Sequence, residues 1–147
     1  MLLIVSENLY ERIQQAFPPD LSTAFLETEE GASYSYCDLE QETGRYARFL
    51  TQQGLAPGDR VLAQVEKSPQ VLLLCLACIR AGLVYLPLNP AYRKNEVRYI
   101  VSDAEPKLIV CDPPLLEPFE EIARELKGQA IVPRLFTLDR KGCGSFT

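Results

Sequence analysis

Short apolar runs alternate with segments of helical periodicity along most of this chain, and that alternation constrains the fold more than any other feature. Arg60 to Val65, Val84 to Leu88 and Leu108 to Cys111 have the length and character of strands. Each is followed by apolar residues at helical intervals. Pro69 to Ala81 opens on Ser68-Pro69, a cap and a first-turn proline, and stops at Gly82. It is apolar on nearly every side (Val71, Leu72, Leu73, Leu74, Leu76, Ile79), so it must be covered. Val97, Ile100, Val101 and Ala104 form a stripe ahead of Pro106, and Phe119, Ile122, Ala123 and Leu126 form another ahead of Gly128. Ala130 to Val132 and Leu135 to Leu138 read as extended, with Pro133 predicting a bulge or sheet edge between them. Strands that alternate with helices pair in parallel and are covered on both faces. The expectation is a doubly wound α/β fold with a mainly parallel sheet.

Upstream the pattern differs. Asn8 to Phe17 places Leu9, Ile13 and Ala16 near helical spacing and ends at Pro18-Pro19, which predicts a short helix. Thr23 to Glu27 and Ser33 to Tyr36 flank the turn residues Glu29-Glu30-Gly31 and predict a β-hairpin. Ser35 and Asp38 have capping-box spacing, and Leu39, Tyr46, Phe49 and Leu50 share one face of a helix closed by Gly54. Pro57-Gly58 is a turn, and the last nine residues read as loop. Residues 1–147 are expected to belong to one domain, with no internal repeat.

Several function classes drop out on composition. The net charge is −5 and the 15 basic residues are scattered, which leaves no patch for a nucleic-acid backbone. The longest apolar stretch, Val71 to Ile79, falls far short of the roughly 20 residues of a membrane span. The opening Met1 to Glu7 is briefly apolar without a basic start, so neither a secretory signal nor a transit peptide is expected. Five cysteines without framework spacing point to a reducing, cytoplasmic setting. With no histidine in the chain, no Ser-His or Cys-His nucleophile and no His-ligated metal can be built from it.

Ligands of open α/β sheets bind beyond the carboxyl ends of the strands. Three loops stand there: Glu66-Lys67-Ser68, Asn89-Pro90-Ala91-Tyr92 and Cys111-Asp112-Pro113. Each reads first as cap, turn or solvated face. Gly142-Cys143-Gly144-Ser145 is the nearest approach to a phosphate loop, but no Lys-Ser or Lys-Thr follows it, and it reads as a flexible loop. Cys75 and Cys78 make a Cys-x-x-Cys pair inside the most apolar helix, with no second pair, and read as packing residues. Glu29-Glu30 and Glu120-Glu121 read as solvated faces, since adjacent side chains diverge. On the residues alone, no catalytic, cofactor-binding or metal-binding residue is assigned.

Two stretches carry a family resemblance. Ser33-Tyr34-Ser35-Tyr36-Cys37-Asp38-Leu39 resembles the opening motif of adenylate-forming enzymes, a strand ending in tyrosine followed by a helix start with an acidic residue and leucine. Arg80-Ala81-Gly82-Leu83-Val84-Tyr85-Leu86-Pro87-Leu88-Asn89 resembles their helix-to-strand motif. Asp59-Arg60-Val61, Gln64-Val65-Glu66-Lys67-Ser68, Ala91-Tyr92 and Asp103-Ala104-Glu105-Pro106-Lys107 with Val110-Cys111-Asp112-Pro113 are similar to malonyl-CoA synthetases in particular. The similarity runs over nearly the whole chain and is weakest in the first helix and around Glu117 to Arg134.

The resemblance implies the N-terminal part of the large domain of an acyl-CoA synthetase. Such enzymes join a carboxylic acid to AMP with ATP and magnesium, then pass the acyl group to coenzyme A. Malonate is the favoured acid; a fatty-acid or aryl-acid CoA ligase is the nearest alternative, and a non-catalytic small α/β binding module is the alternative from another class. The family's phosphate loop, nucleotide contacts, magnesium-binding glutamate and C-terminal lysine match nothing here, so this chain alone is expected to be inactive. Its partner would be the remainder of the synthetase. A sheet cut off from that remainder would expose an edge strand and an apolar helix face, which predicts self-association.

Overall fold

The apolar runs downstream of Gly54 pair side by side and all in parallel. In the computed structural model, which describes residues 8–128 and 131–147, β3 (Arg60–Gln64), β4 (Val84–Pro87), β5 (Leu108–Cys111) and β6 (Arg134–Thr137) form one sheet in the order β4-β3-β5-β6. Val61 pairs with Tyr85 on one side and Leu108 on the other. Ahead of the sheet lie α1 (Leu9–Gln15) and the antiparallel hairpin of β1 (Ala24–Glu27) and β2 (Ser33–Ser35). The intervening helices are α2 (Tyr36–Gln52), α3 (Pro69–Arg80), α4 (Lys94–Ala104) and α5 (Leu116–Glu125), the last entered through a short 3-10 turn at Pro113–Leu115.

Alternation along the central strands sends side chains to two separate cores. Val61, Ala63, Leu108 and Val110 pack with Leu39, Tyr46 and Leu50 of α2 and Leu73, Leu74, Ala77 and Cys78 of α3. Leu62, Ile109 and Cys111 face the opposite way and pack with Val97 and Val101 of α4 and Phe119 and Ile122 of α5. The fold is therefore wound on both faces. The chain enters at β3, adds β4 on one side, and crosses through α4 to add β5 on the other. The carboxyl ends of β3 and β5 thus form a topological switch point.

Local chemistry sets the element ends. Ser35 Oγ accepts from the Asp38 amide while Asp38 accepts from the Ser35 amide, the reciprocal cap that starts α2. Ser68 Oγ accepts from the Val71 amide with Pro69 at the first position of α3. Gly82 follows α3 at φ 71°, and an added Cβ would press on Pro57, so both the turn and the packing there call for glycine.

The first helix stands as expected, the strand read at Ala130 to Val132 does not hold at Ile131 and Val132, and both segments add detail. In α1 the buried residue is Tyr10, whereas Leu9 is 55% exposed and Ala16 is exposed. The apolar stripe of this short helix does not face the core, because Tyr10 is held there by polar partners described below. Ile131 and Val132 are not in a strand, and Pro133 sits buried at the entry to β6; the reading at Ala130 and that at Met1 to Glu7 fall outside the described residues.

The last nine residues hold no regular structure, as expected, and are firmly anchored. Asp139 Oδ1 accepts from the Lys141 and Cys143 amides, and Ser145 Oγ accepts from the Thr137 amide. Phe146 is buried among Tyr46, Phe49 and Phe136 in edge-to-face contacts, a load of apolar surface worth roughly 1.5–3 kcal/mol. Gly144 lies at φ 151°, where an added Cβ would collide with the Thr137 carbonyl oxygen, so only glycine allows the segment to lie along β6.

Candidate functional site

The carboxyl ends of the strands bring three of the sequence-derived loops to one end of the sheet. After β3, Ser68 is engaged as the cap of α3, and Glu66 and Lys67 are exposed. After β4, Asn89 Oδ1 accepts from the Ala91 amide at 2.9 Å and its carbonyl accepts from the Tyr92 amide at 3.0 Å, which makes a compact turn leading to α4. After β5, Asp112 donates its amide to the Gln64 carbonyl at 3.0 Å. The turn and cap roles expected of Ser68 and Asn89 are those seen.

The residue that joins these loops is Gln64, which the sequence reading did not single out. It is 1% exposed, at the last position of β3. Its Nε2 donates to the carbonyls of Asn89 and Tyr92, each at 3.1 Å. Two carbonyl partners settle which end of the amide is nitrogen. The signal was present as a lone amide inside an otherwise apolar strand, since a buried amide must find partners.

Electrostatically this end of the sheet is negative. Asp112 titrates above the ordinary carboxylate range, first because burial disfavours its charge and then because Glu66 and Asp139 face it. Between the unfolded and folded pKa values the folded chain holds the extra proton, so stability falls as pH rises through that window. The penalty is complete above the folded pKa and absent below the unfolded one. An Asp112→Asn chain should therefore melt higher than the parent at pH 7, and the two should converge near pH 3. A thermal melt of both at each pH checks this; an unchanged Tm at pH 7 would mean that the Asp112 charge is free of strain.

The remaining candidates are occupied structurally. The amides of Lys141 and Cys143 are turned toward the chain's own Asp139 carboxylate, so the Gly142 to Ser145 segment is a pinned turn rather than the flexible loop expected. Cys78 is buried and its thiol is pushed up to about 12 by burial, then by Cys75. Cys75 is half-buried and raised by burial as well. Both are free thiols packed on α3, as read from sequence. Cys111 is likewise raised by burial to about 12. Glu29 and Glu30 are exposed at the hairpin turn, and Glu121 is paired with Lys94 at 2.5 Å rather than merely solvated. Among the described residues no three His, Cys, Asp or Glu side chains converge as metal ligands. No described helix is long and apolar enough to cross a membrane.

The pattern of known proteins that share this chain's sequence covers almost all of it. The AMP-binding enzyme family matches residues 11–143. This chain belongs to the AMP-binding enzyme family. Within that family it resembles MatB, a malonyl-CoA synthetase. The crystal structure of MatB from Rhodopseudomonas palustris superposes with a TM-score of 0.86 at 42% identity, over 95% of this chain and 26% of that one. A dimodular nonribosomal peptide synthase of Bacillus subtilis is 32% identical over 101 residues, 69% of this chain and 4% of its own. Bacitracin synthase 3 of Bacillus licheniformis is 30% identical over 99 residues, 67% of this chain and 2% of its own. An anthranilate CoA ligase shares the fold at 17% identity and a TM-score of 0.77. This AMP-binding chain thus spans about a quarter of MatB and a few per cent of these synthases.

Proposed function

We propose that this chain is the N-terminal part of the adenylating domain of an ATP-dependent acid-CoA ligase, with malonate as the favoured acid. The observation that carries the reading is the 42% identity to MatB along 95% of the chain, at a TM-score of 0.86 to MatB with ATP bound. The doubly wound sheet with its switch point beside Gln64 is the frame on which such a domain is built.

The chemistry needs an activated acyl group. A free carboxylate resists thiol attack because its charge is delocalised and oxide is a poor leaving group. One carboxylate oxygen attacks the α-phosphorus of ATP and pyrophosphate departs with the bond pair; the thiolate of coenzyme A then displaces AMP. Charge at the transferring phosphate must be met by amides, lysine and magnesium. Those groups belong to the remainder of the enzyme, and residues 1–147 supply none of them. A malonate pocket would also need a cation for the second carboxylate, whereas a fatty-acyl pocket would be an apolar tunnel. The setting fits the cytoplasm, where the five thiols stay reduced.

A second reading has its own support: the adenylation domain of a nonribosomal peptide synthetase, from the 30% and 32% identities to such synthases. Pyrophosphate release with ATP and magnesium separates the readings when it is run on residues 1–147 and on the full reading frame. Release by the longer product with malonate, and not with amino acids or hexanoate, is the expected result. Release with an amino acid would move the chain to the second reading, and release by residues 1–147 alone would overturn the assignment of catalysis to the remainder.

We also propose that the isolated chain associates with itself. The β4 edge carries Val84 at 47% exposed, and Leu72 of the apolar helix α3 is 38% exposed. Light scattering at rising concentration should show growth beyond the 16.5 kDa monomer; a strictly monomeric chain would refute it.

A further inference from the structure

On the face of the sheet covered by α4 and α5 lies a cavity of about 310 Å³, near the lower end of the roughly 300–1,000 Å³ typical of small-molecule sites. Its apolar wall is made by Val97 from α4, and Leu115, Pro118, Phe119 and Ile122 from the α5 side. Its polar rim is made by Tyr92, Arg93 and the Lys94–Glu121 ion pair. In the wall sits Gln64, almost wholly buried.

Gln64 is only half satisfied. Both Nε2 hydrogens are spent on the Asn89 and Tyr92 carbonyls, and Oε1 accepts nothing from the described residues. No sealed side-chain oxygen among the described residues lacks a partner, so Oε1 keeps accessible surface, and the cavity that Gln64 lines lies beside it. An amide oxygen cannot turn away to solvent while its nitrogen is held at two carbonyls. A buried acceptor with no donor costs free energy that a donor brought by a ligand would return.

We propose that the α4–α5 cavity is a binding site for a small molecule with an apolar body and one hydrogen-bond donor, an alcohol or phenol, whose hydroxyl donates to Gln64 Oε1. Apolar walls select the body. The site stands apart from the acid-CoA ligase reading and does not depend on it.

Benzyl alcohol and toluene test the site, as two probes of nearly equal body that differ in the donor. Titration of the ¹⁵N-labelled protein, followed through the Gln64 side-chain amide and the backbone amides of α4 and α5, should show saturable shifts with benzyl alcohol. Toluene should bind several-fold to about tenfold more weakly, the usual net worth of one hydrogen bond. Leu115→Trp, which fills the cavity from its half-buried wall, should abolish the shifts. Gln64→Met should equalise the two probes. Equal binding of the two probes by the unmodified protein, shifts that map elsewhere, or no saturable binding of benzyl alcohol would each overturn the proposal, and none of these outcomes depends on a variant folding.

Discussion

A Phe119→Ala chain should lose about 3–5 kcal/mol of stability, a large part of the roughly 5–15 kcal/mol that holds a typical domain together. Phe119 is 2% exposed and is the largest side chain with which α5 reaches the sheet. That end of the helix has no side-chain cap to share the load. Its polar ties are the surface ion pairs of Lys94 with Glu121 and Glu125 and of Arg98 with Glu125, each worth at most about 1 kcal/mol when exposed. The truncation also enlarges a cavity already present on that face, so little collapse can recover the lost contacts. Urea unfolding should show a lower midpoint at an unchanged slope. Phe119→Leu should recover most of the loss; a cost below about 1 kcal/mol for the alanine would mean that α5 is not anchored through this ring.

The second large effect is expected at Arg80, the last residue of α3. Its guanidinium donates to the Glu40 carbonyl at 2.9 Å, Thr43 Oγ1 at 3.1 Å and the Tyr10 hydroxyl at 3.4 Å, and pairs with Glu40 Oε1 at 2.8 Å. It also lies 4.9 Å over the Tyr10 ring, while Asn8 Nδ2 donates to the Ile79 and Arg80 carbonyls. One side chain thereby ties α1, α2 and α3 together, and Gly44 leaves room for it, since a Cβ there would stand 3.4 Å from the guanidinium. Arg80→Met should cost about 2–3 kcal/mol, because Thr43, the Glu40 carbonyl and the Tyr10 hydroxyl each lose the hydrogen bond that the guanidinium donates. The ion pair itself is about 30% exposed at both ends and contributes little. A double-mutant cycle with Glu40→Gln should therefore return a coupling under about 1 kcal/mol. Coupling that equals the whole Arg80 effect would assign the role to charge instead of the planar fork.

These two positions also mark what could and could not be read from the residues in order. The strands and the amphipathic helices were legible because burial repeats with the period of the element: Leu108 to Cys111 and the Phe119, Ile122, Leu126 stripe stand as expected. Features that depend on partners distant in the chain were not. Tyr10 is buried by Arg80, some 70 residues away, and no local period predicts that. Phe146 folds back on Tyr46, a hundred positions upstream, from a stretch whose glycines look like slack until Thr137 is placed beside them. At the candidate site the loops were found by topology, whereas Gln64 holds one of them through the Asn89 and Tyr92 carbonyls, which have no sequence signature.

The strand order carries a consequence for how the chain is made. As it leaves the ribosome, β3 can add β4 at once, and α2 and α3 are already present to cover one side of that pair. The other side, with Leu62 at its centre, has no cover until α4 emerges, and the second neighbour of Val61 is Leu108, which is 47 residues later. At about 5–20 residues per second that delay lasts a few seconds, during which half of a greasy sheet stands bare. Sequences of this topology must survive that interval, and an early apolar face held open for seconds is where a chaperone would first meet the nascent chain.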